Sequence, residues 1–365
     1  MPSSESPIVS LLIPIYNVER YLRECLDSAV GQTLRDIEII CINDGSTDSS
    51  PDIIREYMAR DPRVKMIDKA NSGYGDSMNR GLEMARGKYI GILESDDFMQ
   101  PNALESLVTT ADTYKVDIAK ANFDLYWSTP EERRQPFEMF KERDCSKTVV
   151  PSQSIDAFAL KPSIWSAVYR RDFLNDNGIR FLPTPGAAFQ DASFTFKVFA
   201  LAKTAVYLHD SVLSYRQDNE GSSVNSPNKV HCVNDEYTEI HRWIVDDYAN
   251  VHTAQETEML LRYANVIKYD SFMWSFVRLN SKFYPEFIDR MADEFKAALN
   301  AGEFALSDLK PWKRANLKAI MDDPQRWVAE SSGFAKAGAL GRARHYARVG
   351  GPGVVAAYVL DSLKR

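Results

Sequence analysis

The apolar run from Tyr89 to Leu93 ends on three carboxylates within four positions, Glu94, Asp96 and Asp97. Like charges at that spacing repel, so something has to offset them. Two readings stand. In one, the stretch is an acidic loop at a strand end, with one Asp capping a helix that starts near Pro101 or Asn102. In the other, a divalent cation cancels the charge. A second acidic stretch, NDGSTD from Asn43 to Asp48, places Asp44 at the end of another apolar run, with Gly45 and Ser46 suited to a tight turn. Asp44 can accept hydrogen bonds from a base N–H or a ribose hydroxyl, as a nucleotide pocket requires. The same residues also suit an ordinary helix start.

The elements around these stretches decide what they face. Ile8 to Ile15, Ile37 to Ile42, Val64 to Ile67 and Lys88 to Leu93 read as buried strands. Helical spacing fills the intervals, over 18–32, 51–59 and 75–86. Strands alternating with helices predict an α/β fold with a doubly wound, mostly parallel sheet flanked by helices. Ligands of such sheets bind at the carboxyl ends of the strands. PIYN, NDGSTD, NSGYG and ESDD stand at those four ends. Residues 117–126 read as one more strand, 127–148 as a loop, and 191–201 as a helix. Beyond Ser226 the segments 228–249, 253–280 and 283–300 carry helical periodicity without strand patterns, which predicts a helical C-terminal region.

Composition narrows the classes. The chain has 365 residues, a formal net charge of -7 and a pI near 5.4, against a duplex nucleic-acid partner. There is no GxGxxG at the first turn and no GxxxxGK[ST], which disfavours dinucleotide dehydrogenases and P-loop enzymes. Cys25, Cys41, Cys145 and Cys232 show no metal spacing and read as reduced thiols of a cytoplasmic protein. His209 and His231 show no ligand spacing either. The N-terminus has no signal-peptide pattern, and no apolar run approaches the ~20 residues of a membrane span. From Gly333 onward Lys336, Arg342, Arg344, Arg348, Lys364 and Arg365 face only Asp361. This basic tail reads either as a solvated helix or as a peripheral contact with an anionic membrane surface.

PIYNVERYL, CLDSAVGQT, EIICINDGSTDSS and NSGYGDSMNRGLEMARGKYIGILESDDFMQP together resemble the family 2 glycosyltransferases of GT-A fold, over about residues 8 to 110. WSAVYRRDFL, FQDASFTFKVF and YRQDNEGSS extend the resemblance to about residue 224. It implies a glycosyltransferase domain over 1–224, with a nucleotide-sugar half at 8–110 and an acceptor half at 111–224, followed by a helical region with its basic tail at 225–365. Pro14 and Tyr16 would line the base pocket, Asp44 would hold base or ribose, and Asn71 and Asn79 would flank the nucleotide. Asp96, with Asp97 beside it, maps onto the DxD-type motif that binds Mg²⁺ or Mn²⁺ at the donor diphosphate. Glu94 stands where the family usually has Asp and would reach a ribose hydroxyl. QDASF matches the ED-type motif with Gln190 for Glu, which makes Asp191 the general base; it is also placed to cap the following helix. Trp165 would be a platform under a sugar ring or a core residue. Arg216 and Ser222 would reach the diphosphate or form a surface turn.

The resemblance thus implies an inverting, metal-dependent transferase. It would move a sugar from a nucleotide donor, UDP-linked by family habit, to a saccharide or lipid-linked acceptor at the inner membrane face, in cell-surface polysaccharide synthesis. The competing readings are a sugar-phosphate nucleotidyltransferase and a catalytically silent carbohydrate- or nucleotide-binding protein.

Overall fold

A computed structural model of the chain describes residues 6–219, 221, 229–331 and 338–363. The chain divides into two compact units, 1–221 and 222–365.

The first unit runs β1 (Val9–Ile15), α1 (Glu19–Val30), β2 (Ile37–Asp44), α2 (Ser50–Arg60), β3 (Val64–Lys69), α3 (Tyr74–Met84), β4 (Tyr89–Ile92), β5 (Phe98–Met99) and α4 (Ala103–Tyr114). It continues with β6 (Ile118–Trp127), β7 (Arg133–Phe137), β8 (Thr148–Val149), α5 (Ile155–Phe158), β9 (Ala167–Arg170), α6 (Arg171–Asp176), α7 (Gln190–Leu201) and β10 (Ala205–Arg216). Every residue of β1 and β2 is buried, so both sheet faces are covered, as unbroken runs such as VSLLIPI require. The covering layer is amphipathic: α1 turns Leu22, Cys25, Leu26 and Ala29 inward, and α2 does the same with Ile53, Ile54 and Tyr57.

The strand order is β3-β2-β1-β4-β9-β6-β10-β5, with β7 added to β6 and β8 to β10. Strands β1 to β4 pair in parallel, as their alternation with helices predicts. Beyond β4 the sheet is mixed. Strand β9 enters antiparallel between β4 and β6, while β10 runs parallel to β6. The expected loop over 127–148 is corrected: Arg133–Phe137 forms a strand antiparallel to β6. All its residues are exposed, so RRQPF carries no alternation of apolar and polar positions to betray it.

The second unit contains α8 (Cys232–Arg242), α9 (Ala254–Phe276), α10 (Tyr284–Asn300), α11 (Pro311–Asp322), α12 (Pro324–Ser331) and α13 (Ala339–Ser362). Helix α9 starts on a capping box between Thr253 and Glu256 and ends at Phe276, short of the expected 280. Its Phe272 and Phe276 bury against Phe287 and Phe295 of α10. Asn316 forms a buried polar hub, donating to the Tyr269 hydroxyl and accepting from Trp327 Nε1 at 3.0 Å and from His345 Nε2 at 2.7 Å. Helix α13 breaks at Gly351, where φ is 75°, and folds back so that Tyr346 and Tyr358 both contact Trp312. Of the basic tail, Arg342, Arg344 and Arg348 lie on α13, whereas Lys336, Lys364 and Arg365 fall outside the described residues. Among the described residues no helix is long and apolar enough to cross a membrane.

Candidate functional site

The carboxyl ends of β1, β2 and β4 lie side by side, because β1 pairs with both of the others. Pro14 is buried within β1 opposite Ile42, and two residues on Tyr16 stands 54% exposed, an aromatic ring held out at the strand end. The turns after β1 and β2 are laced together. Asn17 Oδ1 accepts from Thr47 N at 2.7 Å, Asp48 accepts from Glu19 N at 2.9 Å, and the Glu19 carboxylate accepts from Ser49 N at 2.8 Å. These bonds satisfy backbone donors that open helices α1 and α2 would otherwise leave orphaned.

Asp44, the last residue of β2, is buried and accepts the backbone N–H groups of Ser72 at 2.9 Å and Gly73 at 3.0 Å. Lys69 closes on it as an ion pair. Asp44 therefore ties the end of β2 to the loop that enters α3. Gly45 beside it has φ of 72°, and an added Cβ would lie 2.7 Å from Asn71 N, so the tight turn requires glycine. Asn71 itself is exposed on this rim. Asn79 is committed elsewhere: its amide donates to the Phe181 carbonyl and accepts from Phe181 N, each at 2.9 Å.

The acidic loop turns inward after β4. None of its carboxylates caps α4, whose N-cap is Asn102. Asp97 is 1% exposed; its Oδ1 accepts Arg216 N at 2.8 Å, and its Oδ2 has no partner among the described residues. Burial, with Asp96 adjacent, pushes the Asp97 carboxyl far above the ordinary carboxylate range. Glu94 is pushed up to about 8 by burial and by the nearby Asp96 and Asp191, although the Tyr74 hydroxyl donates to it at 2.7 Å. Asp96 accepts from Asn219 Nδ2 at 2.7 Å.

Arg216 is not a surface turn. It is buried at the end of β10, donates from Nε to the Asp96 carbonyl at 2.9 Å, pairs with Glu24, and lies 4.7 Å from the Tyr21 ring and 4.9 Å from that of Tyr126. It thus fastens the acidic loop to α1. Ser222 lies outside the described residues.

Asp191 opens α7, one position inside the helix, and its carboxylate is favoured by the N–H groups of its own turn, although the N-cap is Phe189. Phe189 holds φ of 64°, a left-handed backbone that is costly for an aromatic residue. Burial pushes the Asp191 carboxyl up to about 6, with Lys161 and Lys120 pulling the other way. The segment leading to it docks on α3. Phe181 stacks on Phe194 at 4.1 Å and meets Tyr74 edge-on, and Tyr74 N donates to the Gly186 carbonyl at 2.9 Å. A Cβ at Gly75 would lie 2.0 Å from the Leu182 carbonyl oxygen. Gln190, buried, donates to Thr184 Oγ1 and accepts from Ala188 N, which closes the turn before the base candidate. Trp165 is a core residue, stacked on Tyr215 at 4.9 Å.

The sequence-predicted residues thus form two groups, Asp44 with Asn71 at one rim and Glu94, Asp96, Asp97, Arg216 and Asp191 around the acidic loop. Tyr74, Lys120, Asn219 and Glu24 escaped sequence reading, since each is a lone polar residue remote in sequence from its partner. Among the described residues no three His, Cys, Asp or Glu side chains form a cage for a metal ion. A cation shared with a diphosphate needs only one or two protein carboxylates. Packed acids with raised proton affinity and an unpartnered Asp97 oxygen fit such a cation.

Residues 10–176 match the family described as Glycosyl transferase family 2. The protein EpsH of Bacillus subtilis (strain 168), named as a glycosyltransferase, is 33% identical over 219 residues, covering 58% of this chain and 61% of its own length. The glycosyltransferase YibD of Escherichia coli (strain K12) is 33% identical over 218 residues, covering 59% of this chain and 63% of its own. The chain therefore spans about six tenths of these relatives. Among solved structures, TarS of S. aureus, residues 1–349 in complex with UDP-GlcNAc, superimposes with a TM-score of 0.70 at 21% identity, covering 89% of this chain and 91% of that 1–349 chain. That likeness establishes a shared α/β GT-A architecture. Residues 10–176 thus carry a match to Glycosyl transferase family 2, lodged in that architecture.

Proposed function

We propose that the protein is an inverting glycosyltransferase that moves a sugar from a nucleotide donor, UDP-linked as in the TarS complexes, to a saccharide or lipid-linked acceptor in cell-surface polysaccharide synthesis. One observation carries this reading. The unpartnered Asp97 oxygen and the crowded Glu94 and Asp96 stand at the carboxyl end of β4, within electrostatic reach of a further, partly buried acid, Asp191.

The base would lie against Tyr16 and Pro14, with Asn71 at the rim. Asp44 would bind base or ribose directly or, through its grip on Ser72 and Gly73, shape the loop that does. Glu94 would face the ribose. Asp96 would hold Mg²⁺ or Mn²⁺ with Asp97 behind it, and the bound cation would offset the charge that grows on the departing nucleoside diphosphate. Arg216 fixes the loop that presents these groups, and Asn79 serves through Phe181. Asp191 takes the proton of the acceptor hydroxyl as its oxygen bonds to the anomeric carbon and the bond from that carbon to the diphosphate oxygen breaks. Attack from the opposite face inverts the anomeric centre.

Thermal-shift titration with UDP, GDP, CDP and dTDP, each with Mn²⁺ or with EDTA, tests the donor half of this reading. Stabilisation by one nucleotide that requires both Mn²⁺ and an intact Asp96 is expected, about 2.7 kcal/mol at a hundredfold excess over Kd. No metal-linked shift with any nucleotide, or the same shift in Asp96→Ala, refutes it.

Work at the inner membrane face, in the cytoplasm, belongs to the same proposal. Leu340, Val359, Leu360 and Leu363 are exposed on and just after α13, which also carries Arg342, Arg344 and Arg348. Exposed apolar residues near basic ones favour anionic bilayers. The full chain should float with phosphatidylglycerol vesicles, and a chain stopped at Ser332 should not; equal flotation rejects the contact.

A further inference from the structure

Tyr74 takes no part in the reaction described above, yet its contacts converge on the site. Its hydroxyl donates to Glu94 Oε1 at 2.7 Å, its backbone N–H donates to the Gly186 carbonyl at 2.9 Å, and its ring meets Phe181 edge-on at 5.9 Å. Phe181 is itself held from both sides. It stacks on Phe194 of α7 at 4.1 Å and exchanges backbone hydrogen bonds with the Asn79 amide of α3, each at 2.9 Å. The glycines flanking Tyr74 make this packing possible. A Cβ at Gly73, where φ is 96°, would lie 2.5 Å from the Thr184 carbonyl oxygen, and one at Gly75 would lie 2.0 Å from that of Leu182. Tyr74 therefore presents its hydroxyl from a fixed ring and a fixed backbone.

Glu94 needs such a partner. A glutamate has one more rotatable bond than an aspartate and loses more side-chain entropy when held in a single pose. A hydroxyl already ordered by packing supplies that hold at little further cost. Withdrawal from water, with Glu94 alongside, pushes the Tyr74 hydroxyl well above its ordinary value, so it keeps its proton and acts as the donor. The bond occupies Oε1. Among the described residues Glu94 Oε2 accepts no hydrogen bond, and the side chain is only partly buried.

Position decides what this second oxygen meets. Leu93 N donates to the Leu12 carbonyl at 3.0 Å, so Glu94 leaves the sheet alongside β1, the strand that leads into Tyr16. Asp96 follows on the same loop. A nucleotide whose base lies on Tyr16 and whose diphosphate lies at Asp96 has its ribose between the two, and a ribose offers hydroxyl donors to a carboxylate. We propose that Tyr74 is a positioning residue: its hydroxyl pins Glu94 Oε1 and so aims Oε2 at a ribose hydroxyl, which makes the pair select a ribonucleotide donor over its deoxy counterpart. The proposal rests on the donor reading above.

Calorimetric binding of UDP, 2′-deoxy-UDP and 3′-deoxy-UDP to the full chain, each with Mn²⁺, tests it. The parent should bind UDP roughly tenfold or more tighter than the analogue lacking the hydroxyl that Glu94 accepts, because that analogue leaves a desolvated carboxyl oxygen unpaired. Tyr74→Phe keeps the ring on Phe181 and the bond to Gly186, so the fold is retained. It should weaken UDP roughly tenfold and change the sensitive analogue by less than about twofold, so that the preference collapses. Glu94→Ala should collapse it as well, and adding Tyr74→Phe to that variant should change nothing further. A preference absent from the parent, retained in Tyr74→Phe or in Glu94→Ala, or lost through equal weakening of all the ligands overturns the proposal and leaves Tyr74 a packing residue of α3. Failure of the donor reading looks different. The parent then binds UDP no better with Mn²⁺ than with EDTA, and the proposal falls with it.

Discussion

A carboxyl raised to about 6 is ready to accept a proton at neutral pH, and Asp191 has that character because its surroundings withdraw it from water. Turnover should rise as pH increases through about 6. Asp191→Asn should lower turnover by roughly 10²-fold to 10⁴-fold while nucleotide affinity stays within about twofold, measured by steady-state kinetics and calorimetry. The same burial has an opposite consequence for stability. The folded state binds this proton more tightly than the unfolded chain, so stability is full below the unfolded value near 3.8 and declines as pH rises to about 6. Asp191→Asn should therefore unfold later than the parent at pH 7, by about 1 to 3 kcal/mol, the trade between activity and stability typical of working sites. Asp191 and the acidic loop were legible in the sequence because QDASF and ESDD keep their chemistry within a few contiguous positions. The Tyr74 hydroxyl on Glu94 was not, because that pair joins residues 20 positions apart by folding alone.

At the scale of elements, the apolar runs of β1, β2 and β4 announced themselves because both faces of each strand are buried. Strand β9 and the antiparallel half of the sheet did not, since a four-residue strand has too few positions to show a period. The contact that carries the segment leading to Asp191 is also invisible locally. Segment 181–186, which leads to Asp191, rests on the first turn of α3, and Gly75 leaves room for the Leu182 carbonyl. Gly75→Ala should push this segment away and cost about 1 to 3 kcal/mol in stability. It should lower sugar transfer at least tenfold while donor binding at the Asp44 rim is largely kept. Equal loss of donor affinity and transfer would show that the segment serves the nucleotide rather than the base.

At the scale of the whole molecule, the second unit has its own pH response. His345 is held by Asn316 and Ser331, and burial brings it down to about 4. A histidine depressed in the folded state favours folding above its unfolded value near 6.5, and that contribution disappears as pH falls toward 4. His345→Gln, which can still donate to Asn316, should reduce the acid sensitivity of unfolding between pH 6.5 and 4 by up to about 3 kcal/mol. Calorimetry at pH 7 and pH 5 measures it, and unchanged sensitivity contradicts it. The division into a strand-rich and a helical unit could be read from periodicity, but this hub could not, because its members come from α9, α11, α12 and α13. Strand β7 bears on how copies of the protein behave when crowded. Its outer edge, unpaired among the described residues, is an invitation to any other chain seeking a backbone to pair with, yet Pro136 lacks an N–H to offer, and Arg133 and Arg134 would be set charge against charge with their equivalents in a second copy. The polar character that hid this strand from sequence reading is thus also what guards it against fibril-like stacking.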